Sequence, residues 1–541
     1  MPREYVLTDS TLEVNVMGRD KILKVPFEEA LDSTGVGAYN YRCVALSSAA
    51  ALAYACVCYG GAILVPAGAC ELRAAPKHQA AMLAAPFVAG VVGTVVWGWL
   101  GDQRGRRRAL LGTLGGAALT NAVASISPTW QLLLLLQCAS TFLASGVYPL
   151  VMTLLSESAP RASRDRALLT VATAMLCSQG VMAGLAIPII PLTFSYYVPA
   201  LGIYWNSWRT LMLAYSLPAI VAGLGIWLFV QESPKFVLTK GDEDSAMKIL
   251  GFIHRVNKAD EKFQVQGLFL DPQEKTTARA GAGEAAGRER LKALFRAPLR
   301  KYTAICTLLF IGMQFIGAFL IWLPKISNQL TKLLHSGEDS DRTLCAIIES
   351  SLHAETRALT EPAASGAGVS CSINVPALLI LLAACSLQLI ANGVLSLAVG
   401  RFGRRNSVTG LVLVCGASGA LAAAGPPATL GVALYAGLVV GIIVVGPYTA
   451  IAVSLFPTHL RSLAVGLTIT GGRLCGFFTI QLANYLLGRH CRLGLLLFSA
   501  VFASSALLLR LLPSDRRPRA SLERAGPGGV ALIPFNQPTT D

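Results

Sequence analysis

Twelve apolar runs, each close to the length of a membrane-crossing helix, leave this chain little choice of fold. They fall at 43–66, 80–100, 109–127, 130–155, 167–191 and 209–231, then at 302–324, 375–399, 407–424, 430–453, 463–487 and 493–512. A helix of about 20 apolar residues crosses the hydrocarbon layer. Lipid offers no partner for a bare amide or carbonyl, so each run must satisfy its own backbone as a helix. The expected fold class is therefore an all-α membrane protein, with twelve transmembrane helices in two six-helix bundles. Runs 109–127 and 407–424 are rich in Gly and Ala, which suits close helix approach in lipid.

Composition closes off the soluble alternatives. Of 541 residues, 54% are hydrophobic and only 14% charged, too few polar groups to cover a soluble surface. The net charge of +15 sits in short loops between apolar runs, without a basic stripe and interleaved aromatics. It reads as positive-inside topology and not as a nucleic-acid surface. The partners expected are the lipid bilayer and a small organic solute, with no nucleic acid, and the protein is expected to be monomeric. No C-x-x-C pair or other ligand spacing occurs, so neither a metal nor a cofactor is expected.

Arg104, Arg106, Arg107, Arg108, Arg161, Arg164, Arg166, Arg401, Arg404, Arg405 and Arg461 follow the second, fourth, eighth and tenth runs. The opposite short loops hold mainly Arg73, Lys77, Arg489 and Arg492. That bias puts the first set, and both termini, in the cytoplasm. The division expected is a cytoplasmic N-terminal segment 1–42, a first bundle 43–231, a cytoplasmic linker 232–301, a second bundle 302–512 with an extracytoplasmic loop 325–374, and a disordered cytoplasmic tail 513–541. The acidic first 40 residues, with no apolar run, are not expected to form a cleavable leader, so the first span is expected to direct insertion. Within the linker, 243–250 and 288–295 read as amphipathic turns.

Most cysteines lie in apolar runs, where they act as small hydrophobes. Cys345 and Cys371 share the long extracytoplasmic loop, so they form either a disulfide or two free thiols in an oxidising compartment.

The chemistry concentrates in Gly98-Trp99-Leu100-Gly101-Asp102-Gln103-Arg104-Gly105-Arg106-Arg107-Arg108 and its worn echo Gly400-Arg401-Phe402-Gly403-Arg404-Arg405. Asp102 at a span end can pair with an arginine and accept from the next helix's first amides. Such a cluster can latch two halves together. A mere positive-inside anchor would need the arginines alone.

The pattern G-x-L-x-D-x-x-G-R-R resembles the loop between spans 2 and 3 of the major facilitator superfamily. Ser207-Trp208-Arg209, Gln231-Glu232-Ser233-Pro234-Lys235-Phe236, Phe27-Glu28-Glu29-Ala30-Leu31 and Phe456-Pro457-Thr458-His459-Leu460-Arg461 are similar to the synaptic vesicle glycoprotein 2 group and its organic-ion-transporter relatives. The resemblance runs from about residue 25 to 512. It implies two bundles that rock about a central cavity and expose it to each side in turn, as the doubled loop motif and long linker also suggest.

Departures from the family pattern bear on coupling. Tyr54 and Val57 stand where the family carries acids, Gln137 where span 4 carries an arginine, Ser454 in place of an acid, and Gly400 in place of the second aspartate. Ionisable groups inside a membrane mark ion pathways and proton relays. Their loss points away from proton coupling and towards facilitated diffusion or exchange.

The expected cytoplasmic gate comprises Gly98, Asp102, Arg104, Gly105, Arg106, Arg107, Glu157, Arg161, Glu232, Arg404, Arg405 and Arg461. Candidate cavity residues are Tyr54, Gln137, Gln314, Gln388, Tyr448 and Arg473. Each neutral one reads equally as interhelical glue. Arg473 either enters the cavity as an anion site or snorkels to the cytoplasmic end. Gly180-x-x-x-Gly184-x-x-x-Pro188 lies where some exchangers carry a Gly/Pro-rich motif, and small-xxx-small packing explains it equally well.

No phosphate loop, H-E-x-x-H or nucleophile elbow occurs, so enzymatic function is not expected. The reading is a transporter of a small organic solute by alternating access. The alternative is a transporter-fold protein acting in sensing, binding or vesicle trafficking. The membrane is either the plasma membrane or that of an intracellular vesicle.

Overall fold

All twelve expected runs lie in helices that make the protein a multi-pass membrane protein. The computed structural model describes residues 5–8, 11–14, 22–258, 263, 265, 267–269, 292–296, 299–336, 343–349, 374–456 and 458–512. Spans 1 to 4 are Ala38–Gly68, Pro76–Arg104, Arg106–Ala124 and Trp130–Ser158. Span 5 is Arg161–Leu176 continued by Ser178–Ile189, and span 6 is Ser207–Phe229. Spans 7 to 9 are Leu299–Ser336, Val375–Phe402 and Arg404–Ala423. Span 10 is Ala428–Val439 continued by Val445–Leu455, and spans 11 and 12 are Thr458–Arg489 and Cys491–Arg510. Spans 3 and 11 are the least apolar, diluted by glycine, threonine and arginine.

The helix breaks have local causes. Pro149 lacks the amide that would bond the Ser145 carbonyl, and span 4 breaks between Ala144 and Val147. Pro447 likewise frees Ile443, and the chain tightens into a 3₁₀ turn at Val440–Val444. Span 5 bends by 42° at its break, where Cys177 stands between the two pieces.

Span 7 departs from expectation. The helix runs on to Ser336, through the first part of the loop expected at 325–374. The reason is burial: Ile326, Ser327, Asn328, Leu330 and Thr331 are all buried, so the extension packs into the protein up to Thr331, and the contact ends by the exposed Leu334.

The disulfide also differs. Cys345 is bonded to Cys491 at the start of span 12, with Cα atoms 5.6 Å apart, and not to Cys371, which lies outside the described residues. Chain folding brings two residues 146 positions apart into reach, which proximity in sequence could not reveal. Cys70, after span 1, is disulfide-bonded as well.

Outside the membrane, α1 (Phe27–Ser33), α2 (Pro234–Thr239) and α3 (Glu243–Asn257) join through Phe27, Leu31, Leu238 and Leu250. Asp242 caps α3 by accepting from the Ser245 amide at 2.9 Å. Strands β1 (Tyr5–Thr8), β2 (Thr11–Val14) and β3 (Ile22–Pro26) pair antiparallel in order. At the other end of the molecule β4 (Tyr196–Val198) and β5 (Ile203–Trp205) form a hairpin. A sixth strand, β6 (Gly267–Phe269), lies parallel to β3. These short sheets were not expected from the sequence.

The two halves meet through span 2 against span 11, span 5 against span 8, and the end of span 1 against span 7. Their cores show how far they meet. Ile63, Leu64, Met82, Met182 and Trp208, all towards the disulfide end of the first half, share one apolar core with the second half. Towards the arginine end, Leu110, Leu150, Leu154 and Ile226 form a core of the first half alone, and Cys306, Ala452 and Phe456 one of the second. The molecule is closed at the disulfide end and divided at the arginine end.

Candidate functional site: an arginine-end network and a midplane tyrosine cluster

At the arginine end, span 2 passes into span 3 through Gly105, whose φ is +101°. A Cβ there would lie 2.5 Å from a Glu232 carboxylate oxygen, so both the backbone and the packing require glycine. Gly101 is buried against Leu150, whereas Gly98 meets nothing within 4 Å. Packing therefore explains Gly101 and Gly105 but not Gly98.

The capping role foreseen for Asp102 belongs to Glu232. The Arg107 amide donates to Glu232 Oε1 at 2.9 Å and the Arg108 amide to Oε2 at 3.4 Å, a carboxylate seated on a helix N-terminus. Asp102 instead pairs with Arg106 at 3.1 Å, its side chain 73% exposed.

Arg106 is the hub. Its Nε lies 3.1 Å from Glu157, with both side chains 15% exposed. Its Nη1 donates to the Gly101 carbonyl, and its guanidinium lies over the Phe236 ring. The Ser233 hydroxyl donates to the same Glu157 oxygen, Oε2, at 2.5 Å, while Arg106 Nη2 donates to Oε1 at 3.3 Å. Arg107 donates to the Trp227 carbonyl at 2.6 Å, closing the end of span 6. Around Glu28 of α1 gather Arg161, Arg164 and Lys235, at 3.4, 2.7 and 3.6 Å. Burial would raise the Glu28 carboxyl, but the Arg164 hydrogen bond and the charges of Arg164, Lys235 and Arg161 outweigh it and hold the group below its usual range. Glu28, Ser233 and Phe236 lie in the motifs around Phe27 and Glu232 and Arg164 among the loop arginines, yet none of the four is among the expected gate residues.

In the second half the echo is simpler. Arg404 donates to the Ala450 carbonyl at 3.2 Å and Arg405 to the Leu512 carbonyl at 2.8 Å. Arg461 opens span 11, and its side chain lies outside the described residues. Among the described residues, no ion pair crosses between the halves at this end.

Halfway along span 11, Arg473 reaches across to the first half. Its guanidinium donates to Thr94 Oγ1 at 3.3 Å, and its strongest electrostatic neighbours are Tyr54, Tyr59, Cys58 and Tyr148. The Tyr54 ring lies 6.1 Å from Tyr59 and 6.3 Å from Tyr148. Snorkelling is thus not what Arg473 does here. Gln137 lines a small cavity beside Tyr59, Phe87 and Ile321, of about 20 Å³, room for about one water. Its Oε1 has no partner among the described residues. Gln314 lies near Gly476 of span 11. Gln388 is buried in span 8, and Tyr448 is buried in the second half, edge-on to Phe310. Tyr54, Gln137 and Arg473 therefore gather at the midplane with Tyr59, Cys58 and Tyr148; Tyr448 belongs to packing.

At the far end Arg209, 1% exposed, donates to Glu71 at 2.7 Å and to the carbonyls of Ser125 and Ser127 at 2.5 and 2.9 Å. Asn206 and Trp208 donate to the other Glu71 oxygen. The Ser-Trp-Arg motif is thus a staple of the first half. Glu71, its acceptor, carried no sequence signal.

Known proteins with related features fit this geometry. The sequence profile of the Major Facilitator Superfamily matches residues 50–336, just over half of the chain. The organic cation/carnitine transporter 4 of Arabidopsis thaliana is 27% identical over 232 residues, 42% of this chain and 40% of that protein. Synaptic vesicle 2-related protein of Xenopus laevis is 27% identical over 234 residues, 43% of this chain and 40% of that protein. The matches thus span about two-fifths of these curated relatives. Among solved structures, a partially occluded inward open conformation of the xylose transporter XylE from E. coli superposes with a TM-score of 0.61 at 13% identity, over 88% of this chain and 100% of that one.

Proposed function

This chain belongs to the major facilitator superfamily, and from that premise we propose that it carries a small organic anion across the membrane by alternating access. One observation carries the substrate class: among the described residues, Arg473 stands with tyrosines and no carboxylate beside it. The carboxylates on the spans are Asp102, Glu157 and Asp165, all at the arginine end. A guanidinium without a counter-ion at membrane depth is costly unless something neutralises it, and an anionic solute would do so. The tyrosine rings suit an apolar or aromatic body on that solute.

The bundles 43–231 and 302–512 are the moving parts in this reading. We place the arginine end and both termini in the cytoplasm and the disulfide end outside or in a vesicle lumen. The shared core at the disulfide end and separate cores at the arginine end support an inward-facing state. The Arg106–Glu157–Ser233 and Glu28 networks then hold the first half's share of the cytoplasmic gate. With no midplane acid to carry a proton, transport is facilitative or by exchange.

The test is counterflow in proteoliposomes with aromatic monocarboxylates, organic cations and neutral sugars of matched size. Uptake of the monocarboxylates alone, abolished by Arg473→Gln and partly kept by Arg473→Lys, is the expected result. Cation preference, or uptake driven by an imposed pH gradient, overturns the substrate class or the uncoupled mechanism respectively. No counterflow with any solute, and cysteine accessibility that never alternates, leaves the non-transporting alternative.

A further inference from the structure

A cavity of about 800 Å³ opens at the arginine end, beside the network just described and sharing Phe236 with it, between spans 2 and 3 and α2. Arg104, Arg108 and Lys240 line it with Phe236, Leu100 and Trp97. The three cations are exposed, and none forms an ion pair among the described residues. No carboxylate lines the cavity. Its composition changes with depth. Trp97 stands seven residues before Arg104 on one helix, about 10 Å deeper towards the membrane centre, and its ring lies over Gly112, where span 3 has no side chain to fill the space. The Trp97 indole N–H is buried and has no acceptor among the described residues.

We propose that this groove binds an anionic phospholipid, with its phosphate and acidic headgroup on Arg104, Arg108 and Lys240 and an acyl chain along Leu100 and Trp97. Cations at the level of the headgroups and apolar wall beneath them match the two ends of such a lipid. Guanidinium forks bind phosphate oxygens in pairs, and the Trp97 ring supplies apolar wall at the depth where indoles sit in membranes. A free organic phosphate would use the three cations equally well but would leave the lower wall uncovered, so the lipid is the occupant the depth profile favours. The bound lipid would sit beside the loop that carries Arg106, on the opposite side from the midplane.

The full-length protein, purified in mild detergent, is examined by native mass spectrometry with added dioctanoyl phosphatidylserine, dioctanoyl phosphatidylcholine or glycerophosphoserine. The expected result is a phosphatidylserine adduct at least tenfold stronger than the phosphatidylcholine one, weakened as salt rises, and not displaced by excess glycerophosphoserine. Arg104→Gln/Arg108→Gln/Lys240→Gln should lose that adduct, while Arg104→Lys/Arg108→Lys retains most of it. Trp97→Ala, which removes the lower apolar wall, should weaken it by about threefold or more. Equal retention of phosphatidylserine by the triple glutamine variant would overturn the site. Equal binding of phosphatidylcholine would overturn the charge argument, and full displacement by glycerophosphoserine would overturn the lipid in favour of a soluble phosphate. If the triple variant does not fold, the salt dependence and the displacement test decide the question on the wild-type protein.

Discussion

Gly105 and Gly403 interrupt their helices in nearly the same conformation, φ 101° and ψ 151° in the first, φ 83° and ψ 156° in the second. Each joins two consecutive spans at the arginine end, so the repeat seen in the loop residues persists in the backbone. The copies differ in what fills the space above the glycine: Glu232 against Gly105, and nothing within 4 Å of Gly403.

That difference predicts unequal costs. An alanine in this region of backbone space costs about 1–3 kcal/mol, and Gly403→Ala should show that alone. Gly105→Ala must also displace Glu232 and lose its bonds to the Arg107 and Arg108 amides, a further ~1.5–3 kcal/mol. Thermal unfolding of the two purified variants should show the larger drop in Tm for Gly105→Ala. Equal drops would mean that the Glu232 cap contributes nothing.

The hub of the network is Arg106 with Glu157, and Asp102 is its outer partner. Glu157→Gln removes the buried counter-charge of a mostly buried guanidinium and leaves it only the exposed Asp102, a loss approaching the ~3–5 kcal/mol of broken buried pairs. Asp102→Asn removes an exposed pair of the kind that contributes ~0–1 kcal/mol. Glu157→Gln should therefore lower Tm and uptake far more than Asp102→Asn. The reverse order would restore Asp102 as the central residue.

Spans were legible because a 20-residue apolar run has one outcome in lipid, and the loop motif was legible because Gly105 and the arginines are close in sequence. Glu232 and Glu157 are expected gate residues from the sequence, yet their partners are not legible there, since each bond joins positions far apart: 125 residues separate Arg107 from Glu232 and 51 separate Arg106 from Glu157. Tyr59 and Cys58 were invisible for a different reason. In an apolar run they look like their neighbours, and only the arrival of Arg473 from the other half distinguishes them. Cys345 had a visible candidate in its own loop and a true partner in another helix.

The Glu28 cluster predicts a pH signature. Its folded carboxyl titrates below the usual value of 4.5, so the stabilisation is fully present above that value and is lost as pH falls through the lower, folded one. Wild type should lose Tm on acidification below the ordinary glutamate range more steeply than Glu28→Gln, with a constant gap between them near neutrality. Parallel curves throughout would show that Glu28 is not held by Arg164, Lys235 and Arg161.

Cys345 and Cys491 clamp the segment after span 7 to the start of span 12. Non-reducing peptide mapping should recover that cross-link in wild type and in Cys371→Ser alike. Cys345→Ser/Cys491→Ser should lower stability by about 2–4 kcal/mol, the usual effect of opening a disulfide-closed loop. A Cys345–Cys371 peptide would contradict the pairing.

Glu71 and Arg209 make the strongest case for a structural use of a sequence motif. Arg209 has three backbone carbonyls as acceptors, those of Tyr204, Ser125 and Ser127, but one carboxylate, and it is fully buried. Glu71→Gln would leave an uncompensated charge where water does not reach, at a cost of about 3–5 kcal/mol. Arg209→Lys keeps the charge yet cannot span Glu71, Ser125 and Ser127 at once, because an ammonium lacks the planar fork. Both variants should lose most of their monodisperse yield in size-exclusion chromatography, and the double change Glu71→Gln/Arg209→Met should recover part of it by removing the orphaned charge. Full yield of Arg209→Lys would mean that charge alone, without the fork, holds this end of the first half together.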